Sequence, residues 1–104
     1  MKELLNQIKL VAKLPDKLEV KIGKSRDTGY WAEIVNLPGC VTQAENPMEL
    51  LVMINDAVYT YFDIPKKYLS KMPIYLPEEI VRRKIETNQI PNHILQHGLQ
   101  LQRV

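Results

Sequence analysis

Hydrophobic residues open the chain at a helical spacing. Leu4, Leu5, Ile8, Val11 and Ala12 fall on one face of a helix that Pro15 ends, because proline disfavours helical backbone at the residue before it. Leu10 and Leu14 lie off this stripe, which predicts a helix within residues 1–15 covered on two sides. The period then changes from 3.6 to 2. Leu18, Val20 and Ile22 alternate with Glu19, Lys21 and Gly23, and after a polar stretch the strand formers Tyr30-Trp31-Ala32-Glu33-Ile34-Val35 follow, so the two runs predict a β-hairpin with a long loop. Asn36-Leu37-Pro38-Gly39 predicts a type II turn, with proline presetting φ at its second position and glycine accepting positive φ at its third. Cys40-Val41-Thr42-Gln43 makes a third short strand.

The helical period returns at Asn46. Asn46 suits an N-cap, Pro47 the first helical position and Glu49 a capping box, and the apolar positions from Leu50 to Phe62 keep helical spacing until Pro65 approaches. Pro73-Ile74-Tyr75-Leu76 predicts a short fourth strand. A further helix begins at Pro77-Glu78-Glu79 and runs to about Thr87, with acids early and Arg82, Arg83 and Lys84 late, as the helix dipole favours. Beyond it Pro91 and Gly98 interrupt the chain, and Leu99-Gln100-Leu101-Gln102 alternates without an assigned element. The order is an α+β pattern: a β-β-β-α-β antiparallel meander under one long covering helix, with helical extensions at both ends.

Composition narrows the class. With 104 residues, 45% hydrophobic and 25% charged, the chain suits one globular domain, 1–104, divided into a helix (1–15), a core (16–76) and a carboxy-terminal extension (77–104). A net charge of +2 does not single out a nucleic-acid binder. The single cysteine, Cys40, makes no internal disulfide. The amino terminus has no uninterrupted apolar region, and no apolar run approaches a membrane span, so the expected setting is the cytoplasm without a membrane partner.

The stretch from Gly29 to Gln43 resembles the HicB antitoxin family. The resemblance is carried by Gly29 and Tyr30 opening a strand, Ala32 within it, Leu37-Pro38-Gly39-Cys40 after it, and Thr42 following closely. It extends over about Leu18 to Leu76. It implies a partial RNase H-like fold and a partner, a HicA-like toxin that cleaves messenger RNA and is held inactive by the antitoxin. Many members carry a DNA-binding module at the carboxy end. Residues 77–104 show neither a helix-turn-helix nor a ribbon-helix-helix, which leaves DNA binding open.

Each residue able to carry chemistry also has a plainer role. Two-metal nucleases need several converging acids. Here Glu19 and Glu33 alternate with apolar residues and should face solvent, Glu49 belongs to a cap, and Asp56 stands alone on the helix. His93 and His97 are four apart but lack the glutamate of a metalloprotease motif, because Ile94 follows the first histidine. Cys40 has no histidine near it in sequence and reads as a small buried residue. Lys66, Lys67 and Lys71, and the Arg82-Arg83-Lys84 cluster, read as solvated charge or as contacts to nucleic acid or an acidic partner. Trp31 is either an interface anchor, with Glu33 and Val35 beside it, or a residue covered by the first helix. The expectation is a non-enzymatic, self-associating antitoxin needing no metal or cofactor. The alternative is an orphan regulatory or ligand-binding module with no toxin partner.

Overall fold

The computed structural model describes residues 1–104. It is a mixed α+β structure with a five-stranded antiparallel sheet on which four helices and one 3-10 segment are arranged. Helix α1 (Lys2–Lys13) leads into β1 (Lys17–Lys24), β2 (Tyr30–Ile34) and β3 (Val41–Ala44). Helix α2 (Pro47–Tyr61) follows, then the 3-10 segment Lys66–Lys71, β4 (Tyr75–Leu76), α3 (Glu79–Glu86), α4 (Asn92–His97) and β5 (Leu99–Arg103).

The sheet runs in the order β3-β2-β1-β5-β4. The carboxy-terminal stretch therefore does not append helices to a finished four-strand sheet. It returns as β5 and inserts between β1 and β4, pairing Leu18 with Leu101 and Tyr75 with Arg103. The alternation Leu99-Gln100-Leu101-Gln102 explains this placement. Leu99 and Leu101 are buried while Gln100 and Gln102 are exposed, the pattern of a strand with one wet face. Gly98, at φ 84°, turns the chain from α4 into the strand.

One face of the sheet carries the core. Leu18, Val20 and Ile22 of β1, Ala32 and Ile34 of β2, and Leu99 and Leu101 of β5 are all buried. From the helices, Leu50, Leu51, Ile54 and Val58 of α2 join them, with Val81 and Ile85 of α3 and Ile94 of α4. Asn46 caps α2 through its side chain, accepting from the Glu49 amide at 2.9 Å. The expected capping box is only half made, because the Glu49 carboxylate makes no return bond and faces solvent. The long helix is joined on the core by two short ones rather than covering it alone.

Every buried side-chain nitrogen and oxygen has a hydrogen-bond partner. Asn55, the buried polar residue of α2, donates to the carbonyls of Leu51 and Tyr75 at 3.0 Å each and accepts the Tyr75 amide at 2.7 Å. This clamp fixes the two-residue β4 to α2. Asn36 does similar work in the turn after β2, accepting from the Glu19 amide at 2.9 Å and donating to the Lys17 carbonyl at 3.1 Å.

Helix α1 departs from its sequence reading. It packs on the body through Leu10 and Val11, with Leu14 buried just past its end, while Leu4, Leu5 and Ile8 of the predicted stripe stand 51–56% exposed. Side-chain bonds hold the helix at both ends. Arg103 donates to the carbonyls of Val11 and Leu14 at 3.2 Å each, and Tyr68 donates to Glu3 at 2.7 Å. Val11 of the stripe meets the core together with Leu10 and Leu14 beside it, and the amino-terminal half of the stripe stays outward.

Candidate partner-binding surface

The turn joining β2 to β3 is built from the motif residues. The Cys40 amide donates to the Leu37 carbonyl at 3.0 Å across Pro38 and Gly39, and Gly39 sits at φ 82°, which is the predicted type II turn. Leu37 and Cys40 are buried beneath it. Burial pushes the Cys40 thiol above its usual range and holds it as the neutral, weakly nucleophilic form. Ala32 is fully buried in β2 opposite Thr42. Gly29, at φ 83°, admits no side chain. A Cβ there would lie 2.5 Å from the Ala44 carbonyl oxygen, and Tyr30 next to it pairs with Ala44 in register. The motif residues thus shape the hairpin and its turn.

The opposite face of the sheet is uncovered. Trp31 and Glu33 of β2, Val41 and Gln43 of β3, and the alternate residues of β1 and β5 point outward and are exposed. Trp31 is 42% exposed, and its indole lies over Gly23 of β1, where a Cβ would come within 2.3 Å of the ring. Gly23 is therefore the seat of the tryptophan. Helix α1 does not cover this residue, since its tethers run to Arg103 and to the 3-10 segment. Val35 and Val41, 49% and 64% exposed, extend the apolar surface toward the sheet edge.

That edge is β3. The Ile34 amide donates to the Cys40 carbonyl, so the register alternates from there and the backbone groups of Val41 and Gln43 turn away from β2. An open groove of about 450 Å³ runs alongside, between the Pro38–Thr42 stretch and Met53, Asp56, Ala57 and Tyr61 of α2. Sequence reasoning anticipated the outward Trp31, Glu33 and Val35. It did not anticipate Val41 or the groove, because strand alternation alone does not say which strand ends the sheet.

The candidate acids do not converge. Glu19 on the outer face accepts from Gln100 at 2.8 Å, Glu33 stands opposite Lys21, and Glu49 and Asp56 project from α2 on the far side of the sheet. Lys21 beside Glu33 also makes the outer face balanced in charge rather than acidic. His93 and His97 are exposed on the six-residue α4, and no three potential metal ligands come together. Of the basic residues, Lys67 pairs with Glu3 at 3.5 Å and Arg83 with Glu79 at 2.6 Å, both at the surface. No helix is long and apolar enough to cross a membrane.

The chain is similar to a UPF0150 protein of Thermoplasma acidophilum, 38% identical over 64 residues that cover 62% of this chain and 93% of the relative. It is also similar to a UPF0150 protein of Archaeoglobus fulgidus, 34% identical over 50 residues that cover 48% of this chain and 72% of that one. No family model and no solved structure matches the chain. With nearly the whole of the Thermoplasma protein aligned at this identity, the chain belongs to the UPF0150 family.

Proposed function

We propose that this protein is a HicB-like antitoxin that binds a small, basic, HicA-type ribonuclease and blocks it by occlusion. The carrying observation is the uncovered outer face of the sheet, where Trp31 is seated on Gly23, with Val41 near it and Val35 further along the same face, beside a free strand edge. Exposed aromatic residues on a rigid sheet are typical interface anchors, and an open edge offers backbone pairing to a partner. The succession β1-β2-β3-α2-β4 is consistent with a partial RNase H-like core. The turn carrying Leu37, Pro38, Gly39 and Cys40 supports the family reading. Because Lys21 offsets Glu33, binding on this face would rest on the apolar anchor more than on charge.

Co-expression with the adjacent gene product tests the reading. The expected result is that the neighbour is toxic alone, that growth is rescued by this protein, and that the two co-purify. A toxic neighbour that is neither bound nor neutralised overturns it. A second reading, a self-associating regulatory module without a toxin, draws support from the apolar stripe that α1 turns to solvent.

A further inference from the structure

Two apolar surfaces lie apart from the Trp31 face. The first is the outward stripe of α1, formed by Met1, Leu4, Leu5 and Ile8. The second is a groove of about 500 Å³ on the outer side of α2, lined by Met48, Val52, Tyr59, Leu69, Ile74 and Leu76 among others. Val52 and Ile74 are 60% and 53% exposed there. The surfaces flank one element. Glu3, within the stripe's first turn, is bonded to Tyr68 of the 3-10 segment, and Leu69 and Ser70 of that segment line the groove.

The stripe cannot fill its own groove. Arg103 holds the end of α1 by two carbonyls, and Tyr68 and Lys67 hold its start. We infer that this protein forms a two-fold dimer in which α1 of each copy lays its Met1-Leu4-Leu5-Ile8 stripe in the α2 groove of the other.

Area favours this arrangement over pairing of the two stripes. A half-exposed leucine or isoleucine presents roughly 80 Å² of apolar surface, so the stripe, with Met1 almost fully exposed, offers on the order of 400 Å², and the exposed Met48, Val52 and Ile74 of the groove roughly 240 Å². Stripe against stripe would bury about half of the ~800 Å² per partner that a stable interface uses, whereas reciprocal exchange buries stripe and groove on each copy and comes to roughly 640 Å², well nearer that size. In a two-fold arrangement each contact is made twice, the stripe of one copy with the groove of the other and the reverse.

Charge agrees. Beside the stripe, Lys2 and Lys9 are seven residues apart on α1, and Glu49 and Asp56 are seven apart on α2, with Asp56 at the groove wall. Seven helical residues span about 10.5 Å in each case. None of the four has an ion-pair partner in its own chain. In the dimer the two lysines face the two acids at matched spacing.

The test uses the full chain with thiols placed at exposed positions. Leu5→Cys and Val52→Cys are purified separately, mixed, and treated with a short bifunctional thiol reagent; Cys40, buried, remains in place. The mixture is expected to give a covalent dimer in high yield and either variant alone very little. In sedimentation the unmodified protein is expected to be a dimer. Ile8→Glu, at an exposed position, is expected to raise the dimer dissociation constant by about tenfold or more. Lys9→Glu weakens the dimer and Asp56→Lys restores it in that background. A strict monomer overturns the inference. So does efficient cross-linking of Leu5→Cys with itself, or growth beyond a dimer as concentration rises. The stripe and groove are separate from the Trp31 face, so failure of toxin binding leaves this result unaffected.

Discussion

At the scale of the residue, two glycines with nearly equal φ separate strain from steric exclusion. Gly39 has open space around the position of a Cβ, whereas at Gly29 the same atom would meet backbone at 2.5 Å. Alanine at Gly39 therefore carries only the left-handed backbone cost, about 1 kcal/mol, and Gly39→Val about 1–3 kcal/mol because β-branching resists positive φ. Gly29→Ala carries the backbone cost and a displaced Ala44, and is expected to lose at least twice as much as Gly39→Ala in denaturant melts. Equal losses would show that the Ala44 carbonyl moves aside freely. Tyr75 makes a second residue-scale prediction. Its fully buried ring donates from its hydroxyl to the Pro15 carbonyl, and burial pushes its pKa up to about 12. An unfolded tyrosine ionises near ~10. The stabilisation from keeping Tyr75 neutral is complete below that pH and is lost as pH rises toward 12, because only the unfolded chain releases the proton in that interval. Alkaline melts are expected to show falling stability there, with a shallower fall in Tyr75→Phe. Identical slopes would remove Tyr75 from the account.

At the scale of the element, what was legible in the sequence depended on how locally each feature is determined. The β1-β2 hairpin, the type II turn between β2 and β3 and the start of α2 follow from the alternation at Leu18 to Ile22, from Pro38-Gly39 and from Asn46-Pro47, and each forms as expected except for the missing return bond from Glu49. These signals act within a few residues. The place of β5 between β1 and β4 depends on contacts some eighty residues away in sequence, such as Leu18 with Leu101, and alternation at Leu99 to Gln102 cannot name that neighbour. The outward placing of Leu4, Leu5 and Ile8 was illegible for the same reason, since the residues that hold α1, Arg103 and Tyr68, are distant in sequence. So was the role of Asn55, which lies among apolar positions of α2 and holds β4 by two of its three hydrogen bonds. Of the candidate surface, the outward residues of β2 were legible, but Val41, the open edge and the groove beside α2 needed the strand order. Asn55→Ala leaves the Tyr75 backbone groups without their side-chain partner inside the protein, at a cost of about 2–3 kcal/mol. Hydrogen exchange is expected to quicken most at the Tyr75 amide and the adjoining part of β5. Uniform quickening would mean that β4 is not a separately held element.

At the scale of the whole molecule, one side of the sheet is spent on the core and the other is left open, and the two proposed interactions fall on different surfaces. Trp31 stands on the open sheet face, and the α1 stripe lies with the groove about the 3-10 segment on the other side. A dimer formed through α1 would present two Trp31 faces at once, so each copy could hold a toxin and the pair could hold two. Trp31→Ala removes the central apolar anchor. If the toxin binds there, the loss is expected to be about 2 kcal/mol or more and to appear in a faster off-rate. Glu33→Gln alters a rim charge already balanced by Lys21, and is expected to change the on-rate and its salt dependence only slightly. Gly23→Ala probes the same anchor indirectly. The added methyl collides with the indole at 2.3 Å, so the ring must tilt off the sheet while its chemistry stays intact. Tryptophan fluorescence would report the tilt, and binding kinetics its consequence. An off-rate raised in both Trp31→Ala and Gly23→Ala, with sedimentation unchanged, places the toxin on the sheet face. Loss of toxin binding in Ile8→Glu together with unaltered binding in Trp31→Ala would move the toxin to the α1 side, and the sheet face would then need another partner.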